Sequence, residues 1–220
     1  MINPCMATML CFVFTDAAIE KQALGVVLKR VVGKTFNCIS VDGETSTNDS
    51  VFLLASGAAQ NKPFALGSGG IEKFESALFE VCKKLALEMV SDGEGASKVM
   101  QVTVKGAFSE KDASTAAGAI ANSLLVKTAL FGGDPNWGRI ASSVGASGAQ
   151  MEPHKTSVSI GGVLLFKNGE PTGKEAGAAL KMKESAVEIE VELGIGKSSC
   201  TKWGCDLSHA YVDVNSKYGT

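Results

Sequence analysis

The residues best suited to chemistry sit near the start of the chain, in Met6-Ala7-Thr8-Met9-Leu10. On its own Thr8 is a β-forming residue at the head of a strand. If the peptide bond after Ala7 were cut, however, Thr8 would carry a free α-amine beside its hydroxyl. An α-amine titrates near pH ~8, so enough is unprotonated near neutrality to act as a local base. Nucleophile and base would then belong to one residue, and no histidine is needed. That economy suits this chain, whose only histidines are His154 and His209. A Ser-His-Asp triad is a poor expectation with so few. Six cysteines, Cys5, Cys11, Cys38, Cys82, Cys200 and Cys205, are scattered without a CxxC pair. They read as reduced, mostly buried thiols, and no zinc-ligand spacing is present.

Other polar clusters read more simply. Asp42, Glu44 and Asp49 in DGETSTNDS, with four hydroxyls, offer oxygen ligands for a metal but more often build turns between strands. GSGG at 67–70 and GGDPNWGR at 132–139 match neither a P-loop nor GxGxxG, so helix caps and tight turns are expected there.

The elements that must hold these residues are read from periodicity. Met9 to Phe14 is a short apolar run, readable as a buried strand. Thr15-Asp16 then offers a helix cap, with Ile19, Ala23, Val26 and Val27 as the apolar stripe up to Gly33. Strands are predicted over 37–41 and 51–55. A long helix after Gly70 places Ile71, Phe74, Leu78, Val81, Cys82, Leu85 and Met89 on one face. Met100, Val102 and Val104 alternate with polar residues as a half-buried strand. Ser109 to Asp112 reads as a capping box opening an alanine-rich helix through Ile120 and Leu124, and Gly132-Gly133 stop it.

A short helix is predicted after DPNWGR, a turn at KNGEP and a helix over 174–181. Val187, Ile189, Val191 and Leu193 alternate with Glu188, Glu190 and Glu192 as a strand with one wet face. The stretch 203–218 is predicted as one or two strands, with Ala210, Val212 and Val214 on one side. GASGAQMEPH is the expected domain boundary, giving a catalytic lobe over 1–148 and a smaller C-terminal α/β lobe over 149–220. Mixed helices and strands without a strict βαβ rhythm predict an α/β (α+β mixed) fold of layered mixed sheets.

Composition limits the partners. Apolar residues are 45% and charged residues 20%, and 21 basic against 23 acidic side chains leave a net charge of -2. No strongly basic face for nucleic acid is expected. Neither a membrane span nor a secretory signal is legible, so a cytoplasmic protein is expected, or a matrix one if the source is eukaryotic.

Several longer stretches carry a resemblance. PCMATMLCFVFTDAA, VDGETSTNDSV, DGEGASKV, NSLLVKTALFGGDPNWGRI and WGCDLSHAYVDVNSKYGT occur in this order along the whole chain. Together they resemble the ornithine acetyltransferase family, also called bifunctional glutamate N-acetyltransferase. The resemblance implies an N-terminal-nucleophile-like architecture and a precursor that cleaves itself between Ala7 and Thr8. Thr8 would then be the catalytic nucleophile. Glu94, Asn215 and Thr220 match substrate contacts, and Arg139 is the DPNWGR residue nearest in implication to the site. Cys5 departs from the polar residue usual at its position.

The implied reaction moves acetyl from N2-acetylornithine to glutamate through an acetyl-threonine. It needs no cofactor, and acetyl-coenzyme A as a further donor is left open. The implied partner is an α chain from the same precursor, bringing a Thr-Gly oxyanion hole and a substrate-holding lysine. A dimer or higher oligomer of αβ units is implied as well. Two competing readings are a self-processing aminopeptidase or amidase, with water as acceptor, and an inactive structural fragment lacking its α half.

Overall fold

The computed structural model describes residues 1–3 and 9–217 of the 220. They fall into two compact units, Met1–Met89 and Val90–Thr220. Among the described residues no helix is long and apolar enough to cross a membrane.

In the first unit, β1 (Leu10–Thr15) leads through α1 (Lys21–Lys34) to β2 (Ser50–Ala55), which pairs with β1 in parallel. Parallel neighbours need such a crossover, and a helix supplies it. The register sets Leu10 against Ser50, Phe12 against Phe52 and Phe14 against Leu54. Helix α1 starts later than its cap signal suggests. It buries Ala23, Val27 and Val31, one residue per turn, while Ile19 bridges Phe64 ahead of it. Its end is fixed by Thr35, whose buried hydroxyl donates to Val31 O at 2.8 Å.

The strand predicted over 37–41 is not formed as such. A single 3-10 turn, Phe36–Cys38, occupies its start, and Val41 N donates instead to Ile2 O at 2.7 Å. Burying Phe36 directly after α1 demands a tight turn that an extended segment would not make. The long helix α2 (Gly69–Ser91) forms as expected, but its buried seam is Ile71, Leu78, Cys82, Ala86 and Val90. Val81, read as a core residue, faces outward. A true 3.6-residue period carries the seam one position past the expected stripe.

The second unit is built on a six-stranded mixed sheet of order β6-β5-β4-β7-β3-β8. Its strands are β3 (Val99–Ala107), β4 (Ser157–Ile160), β5 (Val163–Lys167), β6 (Glu170–Pro171), β7 (Ala186–Glu192) and β8 (Ser198–Cys205). Its helices are α3 (Glu110–Asn122), α4 (Leu124–Gly132), α5 (Trp137–Ala146), α6 (Glu175–Lys181) and α7 (His209–Ser216). The expected boundary after 148 falls between α5 and β4, and the sheet takes strands from both sides of it.

One face of this sheet is dry. Met100, Val102 and Val104 of β3 and Val187, Ile189 and Val191 of β7 are buried in one cluster with Ala113, Ala117 and Ile120 of α3 and Val144 of α5. Alanines on α3 let the helix lie close to the strands. The opposite face is polar. Thr103 Oγ1 and Thr201 Oγ1 stand 3.0 Å apart, and Lys105 forms an ion pair with Glu190. The capping box forms, with Ser109 Oγ accepting from Asp112 N at 3.1 Å. The alanine-rich helix breaks at Ser123, whose hydroxyl caps α4, and Gly133 ends α4 in the left-handed region.

Candidate active site

Antiparallel pairing of β3 with β8 sets Val99 opposite Cys205. The chain entering β3 therefore lies beside the chain leaving β8, although they are over a hundred residues apart. Asp206, buried, locks them: its carboxylate accepts from Ser97 N at 2.8 Å, Ser97 Oγ at 2.5 Å and Lys98 N at 2.9 Å. Three donors to one carboxylate satisfy a group that would otherwise be costly to bury. Lys98 in turn reaches Leu130 O at 2.8 Å and Met182 O at 2.7 Å, tying the same segment to the ends of α4 and α6.

This lock brings DGEG against the start of α7. Gly95 adopts φ +68°, and a Cβ there would run into Tyr211 N. Ser208 joins the two segments. Its hydroxyl donates to Gly95 O at 2.5 Å and accepts from Tyr211 N at 3.3 Å as the α7 N-cap. With the loop held, Glu94 Oε2 accepts from Asn215 Nδ2 at 2.8 Å. The structure thus brings together two of the four expected substrate and nucleophile positions.

Helix α7 corrects a prediction. Ala210, Val212 and Val214 alternate as a strand would, yet His209–Ser216 is helical and buries no residue. Without a sheet edge to pair with, the alternation has nothing to bury against, and the Ser208 cap starts a helix instead. The helix is also what lets Asn215 Nδ2 donate to Tyr211 O, four residues back, at 3.0 Å. That second bond fixes the amide while its other proton serves Glu94.

Ala7, Thr8 and Thr220 lie outside the described residues. The residue after Thr8 is well held. Met9 is buried, its amide donates to Asp49 Oδ1 at 2.8 Å, and its carbonyl accepts from Ser50 N at 2.9 Å. Asp49 Oδ2 is buried with no hydrogen-bond partner among the described residues. The rest of DGETSTNDS behaves as a turn: Asp42 Oδ1 accepts from Ile2 N at 2.9 Å and from Glu44 N at 3.0 Å. Among the described residues no three His, Cys, Asp or Glu side chains gather as a metal site would need.

Arg139 is engaged by α4, donating to Leu125 O at 2.8 Å. His209 meets Phe131 edge-on with centroids 5.6 Å apart. The five described cysteines form no disulfide. Burial, with the nearby Cys11 adding to it, pushes the Cys82 thiol up to about 11, and burial raises Cys11 as well. Sequence reading missed the parts played by Asp49, Gly95, Asp206 and Ser208. Their signals were local: an acid just ahead of an apolar strand, a glycine in a tight loop, and Asp-Leu-Ser ahead of a helix.

The sequence matches the ArgJ family over residues 1–220. The chain belongs to the ArgJ family. It is 50% identical to the glutamate N-acetyltransferase of Methanocaldococcus jannaschii, a match covering 100% of this chain and 56% of that protein. It is 45% identical to the arginine biosynthesis bifunctional protein ArgJ of Symbiobacterium thermophilum, over 100% of this chain and 55% of that one. The chain therefore spans about half the length of the curated relatives it matches. The crystal structure of ArgJ from Bacillus halodurans superposes with a TM-score of 0.92 at 42% identity, covering 96% of this chain and 100% of that chain. The layered mixed α/β architecture is thus that of an ArgJ protein, as the sequence motifs implied.

Proposed function

We propose that this ArgJ-family chain is the β portion of a self-processing glutamate N-acetyltransferase in arginine biosynthesis. It would pass the acetyl group of N2-acetylornithine to glutamate through an ester on Thr8, after cleavage between Ala7 and Thr8. The observation that carries this reading is the 50% identity, along the entire chain, to a protein named glutamate N-acetyltransferase. The Glu94–Asn215 pair supports it, because both residues match substrate contacts and lie within hydrogen-bond distance of each other.

The chemistry balances with groups the chain itself supplies. The Thr8 hydroxyl adds to the acetyl carbonyl of N2-acetylornithine, and the Thr8 α-amine takes the hydroxyl proton. Collapse breaks the amide C–N bond, and that proton leaves on the ornithine amine. Acetyl-Thr8 remains. The glutamate amine then attacks the ester, and the threonine oxygen departs with a proton returned through the same α-amine. Donor and acceptor share an α-amino carboxylate frame, so one pocket serves twice. Asn215 offers an amide to the carboxylate or amine of that frame, and Glu94 offers a carboxylate to a substrate ammonium. Oxyanion stabilisation falls to the Thr-Gly pair of the α portion, which this chain does not contain.

The test is Thr8→Ala in the full-length protein that carries both portions. One uncut chain without transfer from N2-acetylornithine to glutamate is expected. Normal cleavage or retained transfer would refute the reading. Release of free acetate without acetylglutamate by the wild type would assign the site to a hydrolase instead.

A further inference from the structure

We infer that the open apolar face of the β1–β2 sheet is the seat of the half of the ArgJ length that this chain lacks. The inference rests on the proposed two-portion enzyme and names the surface by which its halves join.

Both strands, LCFVFT and SVFLLA, are apolar on both faces, the pattern of parallel strands covered on two sides. The structure covers only one. Val13 and Leu53 are half-buried, whereas Leu10 is 61%, Phe12 53%, Phe14 72%, Phe52 46% and Leu54 46% exposed. These five share one face by the strand register, and the sixth position there is Ser50, so the face carries no charge. Phe12 and Phe52 already stack, with centroids 5.1 Å apart and planes 11° from parallel. The patch is therefore ordered before anything covers it. A cleft of about 520 Å³ continues it at the strands' C-terminal ends, walled by Phe14 and Leu54.

A lone pair of parallel strands is an incomplete sheet. Each strand keeps one edge unpaired among the described residues, and parallel pairing survives in folds where further strands and a second layer enclose it. The occupant must be apolar, sheet-completing and lasting, since a patch of this kind on a solitary chain invites aggregation. The relatives are matched over 54–56% of their length, so nearly half of each remains to supply that layer. A second copy of this chain would bring no further strand type. β1 begins two residues after Thr8, so the same contact would also steady the strand that carries the nucleophile.

The test is hydroxyl-radical footprinting of Phe12, Phe14 and Phe52 in the assembled full-length enzyme and in the 220-residue chain alone. At least about tenfold slower oxidation in the assembly is expected, as for anchors at the centre of an interface. Equal rates would overturn the inference. So would a dimer of the 220-residue chain that protects the same rings, which would give the face to a second copy. As an independent arm, Phe12→Asp with Phe52→Asp in the full-length protein should release the two portions after cleavage, and Phe108→Asp should not. Co-elution of the double variant's portions at wild-type strength would contradict the assignment. Protected rings in a protein without transferase activity would sink the catalytic reading alone. Activity with the rings still reactive would sink this one alone.

Discussion

Gly95→Ala should act on the site through α7. At φ +68° an alanine costs about 1–2 kcal/mol for the left-handed backbone. Its Cβ would also overlap Tyr211 N and stand 2.8 Å from Ala210 C and 2.9 Å from Ser208 Oγ. Two of these are backbone atoms and cannot swing aside. Relief requires α7 to retreat, which breaks the Ser208–Gly95 hydrogen bond, worth about 1 kcal/mol, and separates Asn215 from Glu94. The sum is about 3 kcal/mol, or roughly 6–12 °C in Tm for a chain of this size. Because α7 buries no residue, the strain should appear there before it unfolds the sheet. Gly133→Ala is the control, with φ +72° but nothing within 4 Å of the added carbon. It should lose only the backbone cost, about a third to a half as much. In the full-length enzyme, Gly95→Ala should lower kcat/KM for both amino acids by roughly ten- to a hundredfold and leave self-cleavage intact. Thermal melts, amide exchange across 209–216 and steady-state kinetics read these effects. Equal Tm losses for the two variants, with unchanged exchange in α7, would refute the reasoning.

Further outcomes are expected from individual contacts. Asn215→Asp sets a second carboxylate against Glu94 and should cost about tenfold in kcat/KM, whereas a change below twofold would separate the pair from substrate binding. Asp49→Ala strips the acceptor from the Met9 amide and should cost about 1–2 kcal/mol by chemical denaturation, while Asp49→Asn, keeping an oxygen there, should cost clearly less. The Cys82 thiol is held protonated by burial to about 11, above its ordinary 9.0, so the folded chain holds a proton there that the unfolded chain releases first. Stability should therefore be full below pH 9 and fall as pH rises from 9.0 to about 11, and Cys82→Ala should flatten that loss in denaturation curves measured across the window.

Local signals read well where one physical rule governs a segment. β3 and β7 alternate because one sheet face is dry. Ser109 and Asp112 form their capping box because both partners lie within one turn. Asn168 and Gly169 sit at φ 56° and 87°, as the KNGEP turn requires. What sequence misses are choices made by distant partners. α7 alternates like a strand, but it has no edge to join and starts from a serine cap. The segment from Asn37 to Val41 is tightened by burial of Phe36, a tertiary demand invisible to local pattern.

The site was legible as a set of motifs and not as a geometry. That Glu94 should meet Asn215 comes from β3 pairing with β8 and from the Asp206 carboxylate, neither of which any spacing announces. The apolar run of β1 was read as buried. In this chain its phenylalanines stand open, and the layer inferred to cover them belongs to the other portion of the enzyme.

The central claim is an acyl-enzyme on Thr8, and trapping it tests that claim most directly. The full-length protein, mixed briefly with N2-acetylornithine and quenched in acid, is digested and its peptides are weighed. One acetyl group on the peptide that begins at Thr8, lost when glutamate is added with acetylglutamate formed in equal amount, is the expected result. A Thr8 peptide that stays unmodified while acetylglutamate accumulates would contradict the account.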